Sequence, residues 1–155
     1  MQEIINKFGN CGCFFIAEIG NNHQGDLNLA KKMVMAAKSS GASAVKFQKR
    51  NNRNLMQPNM AYQPYQNRNS FGANYLEHRE AVELSAQEFS ELKAFCEMNK
   101  ILFFATPFDE ESAFFLNKIE VPAFKISSSD NDNLLLIETV KKLKKPIIIS
   151  TGMMN

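Results

Sequence analysis

The sequence predicts an α/β protein built on a parallel (β/α) TIM-barrel-type sheet, with about five of the eight strands that such a barrel contains. Three observations carry this reading. Short apolar runs, nearly continuous as in strands covered on both faces, alternate with helix-period segments in the order βαβαβαβαβ. The last three runs start about 22 residues apart, the length of one tight βα unit, and right-handed crossovers then make the sheet parallel. Polar and charged residues gather at the carboxyl ends of the runs, where parallel α/β folds bind ligands.

Residues 1–13 read as an N-terminal extension of mixed charge without the apolar stretch of a signal peptide. The first strand is Phe14–Ile19. Asp26 caps a helix over Leu27–Ser40, and Gly41 terminates it. The second strand is Ala44–Gln48. Roughly Lys49–Leu84 follows, a connection rich in Asn, Gln, Tyr and Pro, with a short helix expected at Tyr75–Val82; loops of this length in compact domains are usually functional or disordered. Ser85-Ala-Gln-Glu88 is a capping box that opens a helix to about Asn99. Ile101–Thr106 is the third strand, and Asp109 caps a helix through Lys118. Ala123–Ile126 is the fourth strand. Asn133 caps Leu134–Lys144, Pro146 stops that helix, and Pro146–Ser150 is the fifth strand. The lysines at 141, 142, 144 and 145 suit a solvated helix C-terminus.

Composition excludes several function classes. A formal charge of +2 over 155 residues gives no strong steering toward nucleic acid or a membrane surface, and no stretch reaches the roughly 20 apolar residues of a membrane span. Cys11 and Cys13 lie too close for an ordinary disulfide and Cys96 is remote, so a reduced cytoplasmic protein with three free thiols is expected. A doubly wound dinucleotide fold needs G-x-G-x-x-G after strand one. Gly20 and Gly25 instead give G-x-x-x-x-G, and Asp26-Leu27 stands where a P-loop has Lys-Ser/Thr; the aspartate would repel phosphate.

Counting by twos along each strand sorts the polar residues by face. Glu18 shares a face with Ile16, Lys46 with Gln48, and Lys125 with Ser127. Thr106, Ser128, Asp130, Ser150 and Thr151 lie at or just beyond strand ends. Lysine is almost never buried unpaired. If Lys46 and Lys125 converge, they repel one another unless an anion lies between them, and a phosphorylated carboxylate ringed by hydroxyls would satisfy both. Two other readings stay open. The lysines could pair with Glu18 and Asp130 as a structural network, or one could form a Schiff base as in barrel aldolases.

Five segments, Ala17-Glu-Ile-Gly-Asn-Asn-His-Gln-Gly25, Val45-Lys-Phe-Gln48, Ala105-Thr-Pro-Phe-Asp109, Val121-Pro-Ala-Phe-Lys-Ile126 and Pro146-Ile-Ile-Ile-Ser-Thr-Gly-Met153, together resemble the sialic acid synthase family, from about Phe14 to the C-terminus. The resemblance implies a TIM barrel that condenses phosphoenolpyruvate with an N-acetylated amino sugar such as N-acetylmannosamine, giving a nonulosonic acid and phosphate. It implies a divalent metal, Mn2+ or Mg2+, and a homodimer in the complete protein. Position by position, it implies that Lys46, Thr106, Lys125, Ser128 and Ser150 hold phosphoenolpyruvate and that Gln48 contacts the sugar. Asp130 takes the acidic position facing the reacting carbons, and Glu18 lies near the metal and sugar end. No metal ligand is expected within this chain: the family's two metal-binding histidines, last three strands and antifreeze-like domain are expected after residue 155, which leaves residues 14–155 as the N-terminal portion of the barrel, inactive alone. A non-catalytic remnant or assembly subunit that keeps a phosphate-binding surface is the alternative. The chain departs from the family at Ser129, where glycine is usual, and at Leu135, where proline is frequent; Ser129 is expected to reset the loop carrying Asp130. His23 and His78 read as surface or loop-ordering residues.

Overall fold

The computed structural model describes residues 13–152. Five strands, β1 (Ile16–Gly20), β2 (Ala44–Lys49), β3 (Leu102–Pro107), β4 (Phe124–Ile126) and β5 (Ile147–Ile149), form one sheet in the sequential order β1-β2-β3-β4-β5. Every neighbouring pair is parallel. Doubly wound sheets reverse their strand order at a switch point; this sheet does not, and sequential order is that of a barrel wall.

Each crossover carries a helix, and the expected caps form. Asp26 accepts from the backbone N–H groups of Asn28 and Leu29 to start α1 (Leu27–Ser39), and Gly41 takes φ +87° just past its end. Between β2 and β3 come α2 (Asn52–Leu55), α3 (Pro58–Ala61), α4 (Tyr75–Ala81) and the long α5 (Ala86–Met98), which has the full Ser85/Glu88 capping box. The helices α6 (Glu110–Lys118) and α7 (Leu134–Lys142) are capped by Asp109 and Asn133.

The Lys49–Leu84 connection therefore holds three short helices, not the single one expected. The two missed helices are one turn each, too short for apolar periodicity; their only signals are the Asn51 cap and Pro58 in the first turn. Strands four and five are three residues each, shorter than expected, and β1 starts at Ile16. The expected extension, apart from Cys13, lies outside the described residues, as do Cys11 and Met153 of the last motif.

The core lies on the helix-covered side of the sheet. Val45, Phe47, Ala105, Phe124 and Ile126 are fully buried there against Val34, Leu92, Leu116, Leu136 and Val140. Phe47 stacks on Phe103 at 5.4 Å between ring centroids, and Phe89 meets Phe103 edge-on at 5.4 Å. On the opposite face Ala44, Phe104 and Ala123, with Phe14 and Leu102, make a small apolar floor toward the N-terminal ends of the strands. The site stands on that floor.

Candidate functional site

Strand register builds the site. Glu18 lies opposite Lys46, and Gln48 opposite Thr106. Because alternate residues share a face, these side chains point away from the helices, while Val45 and Phe47 pack beneath α1 and α5. Lys125 leaves β4 on the same side. Seven of the positions expected from the sequence, Glu18, Lys46, Gln48, Thr106, Lys125, Ser128 and Ser150, line one pocket of about 280 Å³ at the carboxyl ends of the strands. Ile16, Phe104 and Ile148 close off a smaller cavity that also reaches both lysines.

The two ammonium groups sit differently. Lys46 Nζ lies 2.8 Å from Glu18 Oε2 and donates to Thr106 Oγ1 at 2.8 Å. Lys125 Nζ donates to the Ile126 carbonyl oxygen at 2.7 Å and to Ser150 Oγ, and among the described residues no carboxylate comes within ion-pair distance of it. Burial first, and then repulsion from Lys46, push the Lys125 pKa below the ordinary lysine value, with Glu18 opposing. Two cations and one carboxylate leave the pocket net positive. The structural-network reading thus describes Lys46, which has Glu18, but not Lys125.

Asp130 is not brought into the pocket lining. Residues Ser128–Asp130 form a 3₁₀ turn capped by Ser127. Ser129, in place of the family's usual glycine, donates its hydroxyl to Asp130 Oδ2 at 2.9 Å and bonds Ser127 Oγ at 2.9 Å. A glycine could make neither bond. Phe108 and Ser127 also line the pocket. Ser127 follows from the face shared with Lys125. Phe108 was missed, although it stands two residues beyond Thr106 and alternation places it on the same side.

The two histidines order loops. His23 is 2% exposed, so the surface alternative does not hold for it; its Nδ1 accepts from the Gly25 N–H at 3.1 Å. Gly25 adopts φ +78°, and a Cβ there would stand 2.2 Å from the Ala81 carbonyl oxygen, so the first loop needs glycine to press against the end of α4. His78 Nδ1 accepts from the Phe71 N–H at 3.3 Å, and its ring lies 4.5 Å from that of Tyr65. Cys96 is buried, with its thiol pushed up to about 12 by desolvation and Glu97, and so is unreactive. Among the described residues no three His, Cys, Asp or Glu side chains come together to hold a metal ion. These residues alone do not fit a divalent metal. Among the described residues no helix is long and apolar enough to cross a membrane.

A sequentially ordered parallel sheet with a net-positive pocket at the carboxyl ends of its strands defines a (β/α)-barrel-type protein. Within that class, the chain belongs to the NeuB family, whose model matches residues 33–155. It is 40% identical over 147 residues to the human N-acetylneuraminate-9-phosphate synthase, covering 95% of this chain and 41% of that protein. It is 40% identical over 141 residues to the N,N'-diacetyllegionaminic acid synthase of Campylobacter jejuni, covering 90% of this chain and 42% of that protein. The crystal structure of an N-acetylneuraminic acid synthetase from Leptospira borgpetersenii in complex with citrate superimposes with a TM-score of 0.75 at 35% identity, over 92% of this chain and 45% of that one. The chain thus spans about two-fifths of the length of the curated relatives it matches.

Proposed function

We propose that the protein to which this chain belongs condenses phosphoenolpyruvate with an N-acetylated amino sugar, forming a nonulosonic acid and releasing phosphate. The observation that carries the proposal is the convergence of Lys46 and Lys125 in one pocket, with no described carboxylate paired to Lys125. A phosphorylated carboxylate supplies the negative charge the pocket lacks, and the Thr106, Ser128 and Ser150 hydroxyls donate to its remaining oxygens. Gln48, one layer nearer the rim than Lys46, is assigned to the sugar. In the reaction the enol carbon attacks the aldehyde carbon of the open-chain sugar. Water adds to the resulting cationic carbon, and phosphate leaves by carbon–oxygen cleavage. Fixed cations lower the cost of gathering charge in a site that excludes bulk water.

Glu18, bonded to Lys46, and Asp130, which accepts from Ser129 outside the pocket lining, are the carboxylates assigned to proton handling and water orientation. The expected divalent metal requires ligands beyond the described residues. A homodimer and a reducing, cytoplasmic setting complete the proposal, the latter in keeping with the free thiols Cys13 and Cys96. The names of the relatives divide between neuraminate and legionaminate products, so the sugar is assigned only as an N-acetylated amino sugar.

The test is phosphate release by the full gene product from phosphoenolpyruvate, with manganese, over a panel of N-acetylated hexosamines that includes N-acetylmannosamine and precursors of legionaminic and pseudaminic acids. Sugar-dependent release is expected. No release with any sugar sinks the proposal. The lowered pKa of Lys125 favours one second reading, a Schiff-base aldolase; borohydride trapping of a Lys125 adduct with a keto acid would establish it.

A further inference from the structure

Behind the rim of the pocket lies a partly buried ionic cluster that the proposed reaction leaves unused. Glu83, at the end of the long insertion, has a side chain only 10% exposed; it faces Lys49 Nζ and Arg50 Nη1 at 3.6 Å each and accepts from Asn21 Nδ2 at 3.3 Å. Arg50 Nη1 also donates to Asn21 Oδ1 at 3.3 Å, so the guanidinium is held by the first loop and the insertion together. Its central carbon lies 3.7 Å from the centroid of the Phe108 ring. Phe108 lines the cationic pocket, and Arg50 lines a separate cavity of about 550 Å³. The stacked pair is a partition between the two.

Position and chemistry give that partition a role. Phe108 follows Thr106 by two residues, so it stands one layer nearer the rim than the Lys46–Thr106 bond. An anion bound between the lysines lies deeper than Phe108, and the second reactant must approach past it. The guanidinium covers one face of the ring and so fixes its orientation, leaving the opposite face to the pocket. The face left for the pocket suits aliphatic C–H groups, such as an acetamido methyl or the carbon face of a sugar chain.

We propose that Phe108 is an apolar platform that sets the amino sugar against the bound anion, and that Arg50 is a positioning residue acting through Phe108. The inference rests on the synthase reading above. A lysine at position 50 would keep the charge but lose the flat, broad contact.

The experiment uses steady-state kinetics of the full gene product. Arg50→Lys and Phe108→Leu are each expected to raise KM for the amino sugar about tenfold, with kcat and the phosphoenolpyruvate KM changed less than about twofold. The double variant should be no worse than the worse single one, because both remove the same contact. Phe108→Tyr keeps the ring face and is expected to retain the parental sugar KM, which guards against a folding defect in the leucine variant. A parental sugar KM in Arg50→Lys, or losses shared equally with phosphoenolpyruvate, would overturn the inference while leaving the synthase reading intact. An unaltered enzyme that releases no phosphate with any sugar would overturn both.

Discussion

The two faces of this sheet are made by alternate residues of the same strands, yet they follow opposite rules. On the helix side Val45, Phe47, Phe103, Ala105, Phe124 and Ile126 are apolar and interlock with Phe89 and the buried residues of four helices. On the other side a thin floor of Ala44, Phe104 and Ala123 gives way two residues further along the strands to Lys46, Thr106 and Lys125, beside Glu18 and Gln48. The helix face removes apolar area from water and holds the fold. The inner face concentrates like charge, which a fold selected for stability alone would avoid. Residues on the two faces should therefore fail in different ways. Phe47→Ala should lower unfolding free energy by about 3–5 kcal/mol, because it leaves a cavity where three ring contacts now meet. Lys125→Ala should lower it not at all. Urea denaturation of the two variants checks this, and equal losses would mean that the faces are not divided as described.

The reverse dissociation should appear in binding. Lys46→Ala and Lys125→Ala should weaken phosphoenolpyruvate binding roughly ten- to a hundredfold, the scale of a lost charged hydrogen bond, with a smaller effect on the sugar. Lys46→Ala should be the more damaging, since it leaves Glu18 without its 2.8 Å partner and facing the anion. Lys125→Ala relieves the repulsion from Lys46 and a burial cost, so its thermal stability should hold or rise. The anion requires the ammonium form of Lys125, whose pKa is depressed. Affinity should therefore be lost as pH rises through a value below the ordinary ~10.4 of lysine, and Lys125→Arg should postpone that loss. Calorimetric titration across pH measures both effects. Normal phosphoenolpyruvate affinity in both alanine variants would remove the basis for an anion cradle.

How much of this was legible in the sequence also divides by region. The caps at Asp26, Ser85, Asp109 and Asn133 are local side-chain-to-backbone bonds, and all four form where the residues indicate. Alternation sorts faces within each strand, and Lys46 and Lys125 converge only because both strands turn the same face to the pocket, a meeting of strands that alternation alone does not dictate. What the sequence withheld depends on contacts distant along the chain. Arg50 finds Asn21, Glu83 and Phe108 from three separate segments, and no spacing announces that meeting. Asp130 is carried off the pocket lining by bonds within its own turn, and Ser129 is the residue that signals the change. The helices α2 and α3 are single turns without periodicity.

The smallest effect belongs to a residue that joins the two faces. The His23 ring lies 5.9 Å from Phe47 on the helix side, while its Nδ1 holds the Gly25 N–H in the loop that closes over the end of β1. Burial first, and then Lys49, push its pKa below the usual 6.5, with Asp26 opposing. Protonation takes away the Nδ1 acceptor. Because the folded pKa lies below the unfolded one, the contribution of neutral His23 is fully present above pH 6.5 and is lost as pH falls through the folded value. The loss should be about 1 kcal/mol, the worth of one hydrogen bond. In a background of His78→Gln, which removes the other titrating ring, melting temperature should fall as pH drops below roughly 6.5, before most carboxylates titrate. His23→Gln can still accept through its side-chain oxygen and does not titrate there, so it should flatten that limb. If the limb keeps its slope in His23→Gln, the first loop is anchored by its press against α4 and not by the imidazole. The link between the two faces would then run through Gly25 alone.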